Sequence, residues 1–241
     1  MNKMLLAGIA AIFAPAAWSS AAFGASSVVN GAMGPAVRTA GGDRIADEPE
    51  KKIFKPAAES APDSLLNAAT RVVLASLRQD LNLRRNNPAK FAEVVDSTIL
   101  PLFDFRHMTR LAMARNWRLA SLEQQGVLVG EFKTLLVRTY SSALSNYRDE
   151  VITYVPLRMA PGETDVRVRS TVKQRKAERL TIDYDMEKTA DGWKVYDIKI
   201  AGVSLITTYR STFADIVGER GIDGLIHSLS AKNRQAEAAP G

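Results

Sequence analysis

Few residues in this chain have types and spacing suited to chemistry. His107 and His227 are its two histidines, and neither has a second ligand residue at i+3 or i+4. Asp104 lies three positions before His107, and a carboxylate at that helical spacing can orient an imidazole for acid–base work. Simple hydrogen-bonded neighbours share the same spacing, so both readings stand. Ser204 lies in Gly202-Val203-Ser204-Leu205, which lacks the second glycine of a nucleophile elbow; a helix N-cap explains it better. Asp183, Asp185 and Glu187 share one face of a strand, have cations within reach, and match no metal-binding loop. The chain has no cysteine, which removes thiol nucleophiles, thiolate zinc sites and iron–sulfur ligation. No glycine-rich loop ending in Gly-Lys-Ser/Thr is present, so nucleotide hydrolysis is excluded. The residues point to no metal and no cofactor, and Asp104 with His107 is the best acid–base pair they offer.

The elements that would position such groups change period halfway along the chain. Pro62-Asp63-Ser64 opens a helix with Leu65, Leu66, Ala69, Val72, Val73 and Leu77 on one stripe. Pro88 starts a second, with Phe91, Val94, Val95, Thr98 and Ile99 inward, and Pro101 interrupts it. A short third helix carries Phe105, Met108, Leu111 and Ala112. Ser121 with Gln124 forms a capping box ahead of Leu128, Phe132, Leu135, Leu136 and Tyr140, in a helix that can reach Tyr147. Period-two alternation then takes over. Val151 to Met159 reads as a strand. Val166, Val168, Ser170 and Val172 alternate with charged or polar residues, as do Leu180, Ile182, Tyr184 and Met186. A hairpin centred on Lys176 sets Arg169 against Asp183 and Arg167 against Asp185, each pair contributing about 0.2–1 kcal/mol on an exposed face. The same register sets Val168 beside Tyr184 on the apolar face. Asp191-Gly192 turns into a strand from Trp193 to Ile200 containing Tyr196 and Ile198. Gly202 then bends the chain past Val203 into helices Ser204 to Val217 and Ile222 to Lys232, separated by Gly218 and Gly221; Tyr209 and Phe213 lie on one face of the first. Helices, an antiparallel meander, then helices define an α+β fold with a curved sheet.

The N-terminal residues read as a secretory signal, with Lys3, an apolar core from Leu5 to Ala17, and small residues around Ala22-Phe23-Gly24-Ala25. That core is short of the roughly 20 apolar residues of a spanning helix, which favours a cleaved signal over the alternative of an uncleaved N-terminal anchor. The expected organisation is a signal peptide at 1–25, a disordered arm at 26–61, one folded domain at 62–232 and a frayed tail at 233–241. The formal charge is +6. Arg106, Arg110, Arg115 and Arg118 form the densest basic stretch, yet Trp117 is the one aromatic beside them, so stacking on nucleic-acid bases is disfavoured.

What remains is apolar wall. Helix residues Phe132, Leu135, Leu136 and Tyr140 can face the sheet residues Val166, Val168, Ile182 and Tyr184 across either a closed core or a cavity. Residue types alone do not separate the two. Trp193-Lys194-Val195-Tyr196-Asp197, followed by Gly202-Val203-Ser204-Leu205 and Tyr209-Arg210, resembles the signature of the MlaC/toluene-tolerance family. Further matches are Asp104-Phe105 with Met108 and Trp117-Arg118, then Gln124 or Gln125, Phe132, Leu135-Leu136 and Thr139-Tyr140, and Ile182-Asp183-Tyr184. The likeness extends over about residues 90–232. One departure is local: the family usually carries Leu-Gly where this chain has Met113-Ala114.

The resemblance implies a periplasmic carrier that holds phospholipid acyl chains in an internal apolar pocket and helps maintain outer-membrane asymmetry. The pocket lining it implies is Phe105, Met108, Leu111, Phe132, Leu135, Leu136, Tyr140, Val166, Val168, Ile182, Tyr184, Tyr196, Ile198, Val203 and Phe213. Its ligand would be a phospholipid or, by analogy with a paralogue associated with hopanoid biosynthesis, a polycyclic lipid. Its partners would be an outer-membrane lipoprotein–porin complex and an inner-membrane ATP-binding-cassette (ABC) transporter complex with its substrate-binding subunit. Two other classes remain open, a small periplasmic hydrolase or isomerase using Asp104 and His107, and an envelope adaptor with a closed core.

Overall fold

The computed structural model of the chain describes residues 60–79, 87–145, 151–173 and 179–238. The expected signal peptide, nearly all of the arm, Tyr147, Lys176 and the last three residues lie outside them.

Helix α1 (Pro62–Gln79) starts on a proline, whose missing N–H costs nothing at a helix start. It buries Leu65, Leu66, Ala69, Val73 and Leu77. Val72, expected on that stripe, is 41 % exposed because one residue's rotation carries it around the helix from Val73. Helix α2 (Pro88–Val94) is capped by Asn87, whose side chain accepts from the Lys90 N–H at 3.0 Å. It loosens into a π turn (Val95–Ile99) and tightens into a 3₁₀ turn (Leu100–Leu102) at Pro101. Helix α3 (Phe105–Met113) follows, then a 3₁₀ segment (Ala114–Leu119) and the long helix α4 (Leu122–Ser145). The expected capping box is present: Gln124 N–H donates to Ser121 Oγ at 3.1 Å, and Ser121 N–H donates to Gln124 Oε1 at 2.9 Å.

The second half is a five-stranded antiparallel meander in the order β1 (Val151–Tyr154), β2 (Asp165–Lys173), β3 (Leu180–Thr189), β4 (Gly192–Ile200) and β5 (Val203–Ser204). The fold is α+β, as expected. The β2–β3 register pairs Arg169 with Asp183, Arg167 with Asp185 and Val168 with Tyr184. β1 ends at Tyr154, short of Met159, and one further bond from Val155 N–H to the Arg169 carbonyl prolongs the pairing. β4 carries a bulge: Asp185 pairs with Asp197 and Met186 with Val195, leaving Tyr196 as the extra residue. The far edge of β4 is covered twice, by β5 and by Phe103, which bridges to Val195.

The C-terminal run α5 (Leu205–Ala238) consists of two helical segments that meet at a kink, as the sequence leads one to expect. Gly218 stays helical, and the chain kinks at Gly221 alone, where φ is 70° and ψ is −173°. The helix also runs past the expected start of the tail. Asn233 is buried there, and its Nδ2 donates to the carbonyl and the carboxylate of Glu131 on α4, at 3.0 and 2.6 Å.

Three apolar clusters form the core. The largest joins α3, α4 and α5 around Met108, Leu128, Phe132, Phe213, Leu225 and Leu229. A second packs the start of α1 on the sheet through Leu65, Leu66, Val166, Val168, Met186, Trp193 and Val195. A third joins the end of α1 to α2 through Val73, Leu77, Phe91 and Val95. Phe103 touches both the helical and the sheet clusters, so it marks the seam between the layers.

Candidate functional site

Groups able to do chemistry gather on the outer face of the sheet. Asp104 is the N-cap of α3, and its Oδ1 accepts from the His107 backbone N–H at 2.7 Å. Of the two readings its spacing left open, Asp104 takes the structural one and serves the helix end. The ring's partner is Glu187 of β3, through Nδ1, and Tyr196 stacks on the ring at 4.8 Å between centroids. Asp104, His107 and Glu187 bring one ligand atom each within 4.8 Å of one another. The sequence held the first two but gave no signal for Glu187, which arrives from 80 residues away. Ser204 donates to Asp197 Oδ2 at 2.6 Å and accepts from the Thr207 N–H at 3.0 Å, which is the expected helix cap. No imidazole contacts it among the described residues, so the hydroxyl is committed to structure.

Asp185 is the centre of the charge network, 7 % exposed between two cations. Arg167 donates through Nε at 2.5 Å and Nη2 at 3.2 Å, and Lys199 through Nζ at 2.7 Å. Burial pushes the carboxyl up, but the bonds and charges of Arg167 and Lys199 together outweigh it and hold the group below its ordinary value. Arg169 binds Asp183 at 2.9 Å further along. This face locks β2, β3 and β4 together.

The inner face is apolar, and it is covered unevenly. Near α1, Val166, Val168, Met186 and Val195 are fully enclosed. Further along the same face, Ile152, Tyr154, Leu180, Ile182, Tyr184, Ile198 and Ile200 are only half-buried. Half-buried side chains on the helical side include Leu74, Phe103, Phe105, Leu111, Val137, Tyr140 and Tyr209. Desolvation by burial raises the phenols of Tyr140, Tyr154, Tyr184 and Tyr209 above their ordinary value. The phenols find partners within the protein. Tyr154 shares a 2.7 Å bond with Thr70 of α1, its ring lies 6.3 Å from that of Tyr184, and Tyr140 bonds to Tyr209.

The expected lining residues divide accordingly. Met108, Phe132, Leu135, Leu136 and Phe213 are enclosed in the helical cluster, with Phe105, Leu111 and Tyr140 at its margin. Val166 and Val168 are enclosed in the sheet cluster, with Tyr184 and Ile198 at its margin. Ile182 is half-buried opposite Ser170 and Ile200. One assignment is corrected. Tyr196 lies on the outer face, because the bulge breaks the alternation that would align it with Ile198; its hydroxyl donates to Asp165. Val203 pairs with Ile200 on the two-residue edge strand, where it is 49 % exposed. Phe103, Tyr154 and Tyr209 are further half-buried residues packed against these clusters, and the sequence did not single them out as lining. Alternation along β1 was the available signal for Tyr154, whereas Phe103 lies in irregular chain after Pro101.

A separate groove of about 300 Å³ lies at the other end of the sheet, lined among others by Ser60, Pro62, Met159, Glu163, Lys188 and Trp193. That is the lower limit for a drug-sized ligand. None of the expected lining residues borders it. No described helix is long and apolar enough to cross a membrane.

Comparison with known proteins places this geometry. Residues 67–231 match the family model described as MlaC protein. The toluene tolerance protein ttg2D of Pseudomonas putida is 23 % identical over 190 residues, covering 76 % of this chain and 88 % of that protein. The intermembrane phospholipid transport system binding protein MlaC of Haemophilus influenzae is 22 % identical over 181 residues, covering 74 % and 85 %. A solved structure of the phospholipid-binding protein from Ralstonia solanacearum, in complex with a phospholipid, is 41 % identical with a TM-score of 0.68. The match covers 74 % of this chain and 99 % of that one.

Proposed function

Because this chain belongs to the MlaC family, we propose that it binds the acyl chains of a phospholipid between the half-buried inner face of its sheet and the helical layer. The observation that carries this reading is the run of half-buried side chains Tyr154, Ile182, Tyr184 and Ile198 on one face of the sheet. The phospholipid complex of a 41 % identical neighbour supports it. The physics of the task is plain. Each methylene is worth about 0.8 kcal/mol, so exposing a C16 chain to water costs on the order of 12 kcal/mol. A carrier must replace the bilayer with apolar wall of similar extent. Neutral phenols bonded to Thr70 or to each other suit such a wall, since they leave no unpaired polar group against hydrocarbon.

The fuller proposal is a periplasmic shuttle, exported by the segment ending near residue 25, that moves phospholipid between the outer and inner membranes and maintains outer-membrane asymmetry. With no nucleotide-binding loop in the sequence, direction comes from its partners: an outer-membrane lipoprotein–porin complex and an inner-membrane ABC complex with its substrate-binding subunit. The protein acts as a carrier, not as an enzyme.

The wall is tested by substitution. Ile182→Lys and Tyr184→Lys, incubated with labelled phospholipid vesicles and re-isolated, should recover at least about tenfold less lipid than wild type. Their urea midpoints should fall much less than that of a change in the enclosed core. Unaltered lipid recovery in both variants would refute this placement of the ligand.

A further inference from the structure

Among the described residues, the two most exposed large apolar side chains stand three positions apart: Leu119 is 69 % exposed and Leu122 is 82 % exposed. Three residues span on the order of 10 Å at most, so the two form one protrusion at the start of α4. Its shape is fixed from inside. Ala114 turns the chain at φ 48° and ψ −124°, and the following 3₁₀ segment buries Asn116 and Trp117. Gln125 Nε2 donates to the carbonyls of Trp117 at 3.3 Å and Ala120 at 3.2 Å. Arg106 closes the back of the loop, 5.4 Å over the Trp117 ring and bonded to Gln125 Oε1 at 3.2 Å. The loop is therefore anchored by its polar and aromatic residues while its leucines face water.

Cations precede these leucines and carboxylates follow them. From Phe105 to Leu122 the sequence holds Arg106, Arg110, Arg115 and Arg118 and no carboxylate, whereas Glu123 adjoins Leu122 and Gln124 Nε2 donates to Asp223 Oδ1 at 2.6 Å. Arg110, Arg115 and Arg118 are exposed and make no ion pair among the described residues. From α5, Arg210 donates to the Leu111 carbonyl at 3.1 Å. Exposed single leucines are ordinary, but a rigid pair rimmed by unpaired arginines is not.

We propose that Leu119 and Leu122, with Arg115 and Arg118, dock this protein on the surface of an anionic phospholipid bilayer. The leucines enter the boundary between headgroups and acyl chains, and the guanidiniums bind lipid phosphates. A protein partner fits less well, since protein hot spots are aromatic anchors seated in pockets, and this protrusion offers two aliphatic tips. The patch is separate from the wall described above, so its binding does not depend on a lipid held inside.

The test is co-sedimentation of the full chain with vesicles of phosphatidylcholine alone or with a third of phosphatidylglycerol. Wild type and variants are prepared identically, so any contribution from the apolar Leu5–Ala17 segment is common to all. Wild type should bind the anionic vesicles, and more weakly as NaCl rises. Leu119→Ser with Leu122→Ser should weaken binding at least about tenfold. Arg115→Gln with Arg118→Gln should weaken it by about fivefold or more on anionic vesicles only. Leu122→Trp should move its emission to the blue on anionic vesicles. Equal sedimentation of wild type and both double variants, with unchanged circular dichroism, would overturn the proposal. So would an unshifted Leu122→Trp emission, or a wild type that ignores vesicles yet is retained by an immobilised acidic protein.

Discussion

Replacing Ala114 with glycine should stabilise the protein. Ala114 closes α3 at φ 48° and ψ −124°, the conformation of the first central residue of a type II′ turn, where glycine is the natural occupant. A residue with a Cβ held there costs about 1–3 kcal/mol, and glycine adopts it freely. Glycine gives back about 0.4–1 kcal/mol through the greater entropy of the unfolded chain. Ala114 is exposed, so losing its methyl group sacrifices little packing. The net expectation is a gain of about 1 kcal/mol, or about 2–4 °C in melting temperature for a domain of this size. Equilibrium urea unfolding followed by circular dichroism is the assay, and the midpoint should rise at constant slope. Ala114→Val should move it the other way, because β-branching aggravates a positive φ. An Ala114→Gly midpoint equal to or below wild type, with the slope unchanged, would refute the strain argument.

Gly221→Ala should destabilise by about 1–3 kcal/mol in the same assay, from backbone strain alone, since an added Cβ would meet nothing within 4 Å and φ there is +70°. Phe132→Ala should cost about 3–5 kcal/mol, because the ring is fully buried against Tyr209 and Phe213 at 5.0 and 5.1 Å; calorimetry or urea unfolding reads it. Asp185→Asn should cost about 2 kcal/mol at neutral pH, having lost charge-assisted bonds to Arg167 and Lys199. The folded carboxyl titrates below its ordinary 3.8, so its stabilisation is complete above about pH 5 and is lost as pH falls through the folded value. Wild type and Asp185→Asn should therefore draw together in stability as pH falls below 3.8, and a gap that stays constant with pH would contradict the assigned role.

Local patterns made most of the fold readable. Alternation in β2 and β3 fixed both strands, and the opposed charges of Arg167, Arg169, Asp183 and Asp185 fixed their register to the residue. Ser121 and Gln124 announced the start of α4 through chemistry confined to one turn. What failed depended on tertiary context. The bulge at Tyr196 leaves no compositional mark, and it moves that ring from the inner face to the outer. Gly218 and Gly221 look alike in sequence, but only Gly221 takes a left-handed φ. Asn233 reads as tail by type, yet Glu131, 102 residues earlier, holds it in the core. The wall was the hardest part to read, because enclosed residues such as Phe132 and Val168 and half-buried ones such as Ile182 and Tyr184 draw on the same residue types. The Met113-Ala114 departure was visible as a missing glycine, and its structural meaning emerged only from the backbone angle.

The central claim, that an apolar space between sheet and helices holds a phospholipid, is tested most directly by native mass spectrometry. The protein would be exported in a bacterial host, purified without detergent, and its bound lipid extracted. The account predicts a one-to-one adduct that the extract identifies as a two-chain phospholipid, and its loss in Tyr184→Lys. A mass that matches the bare polypeptide and stays unchanged after incubation with phospholipid vesicles would contradict it.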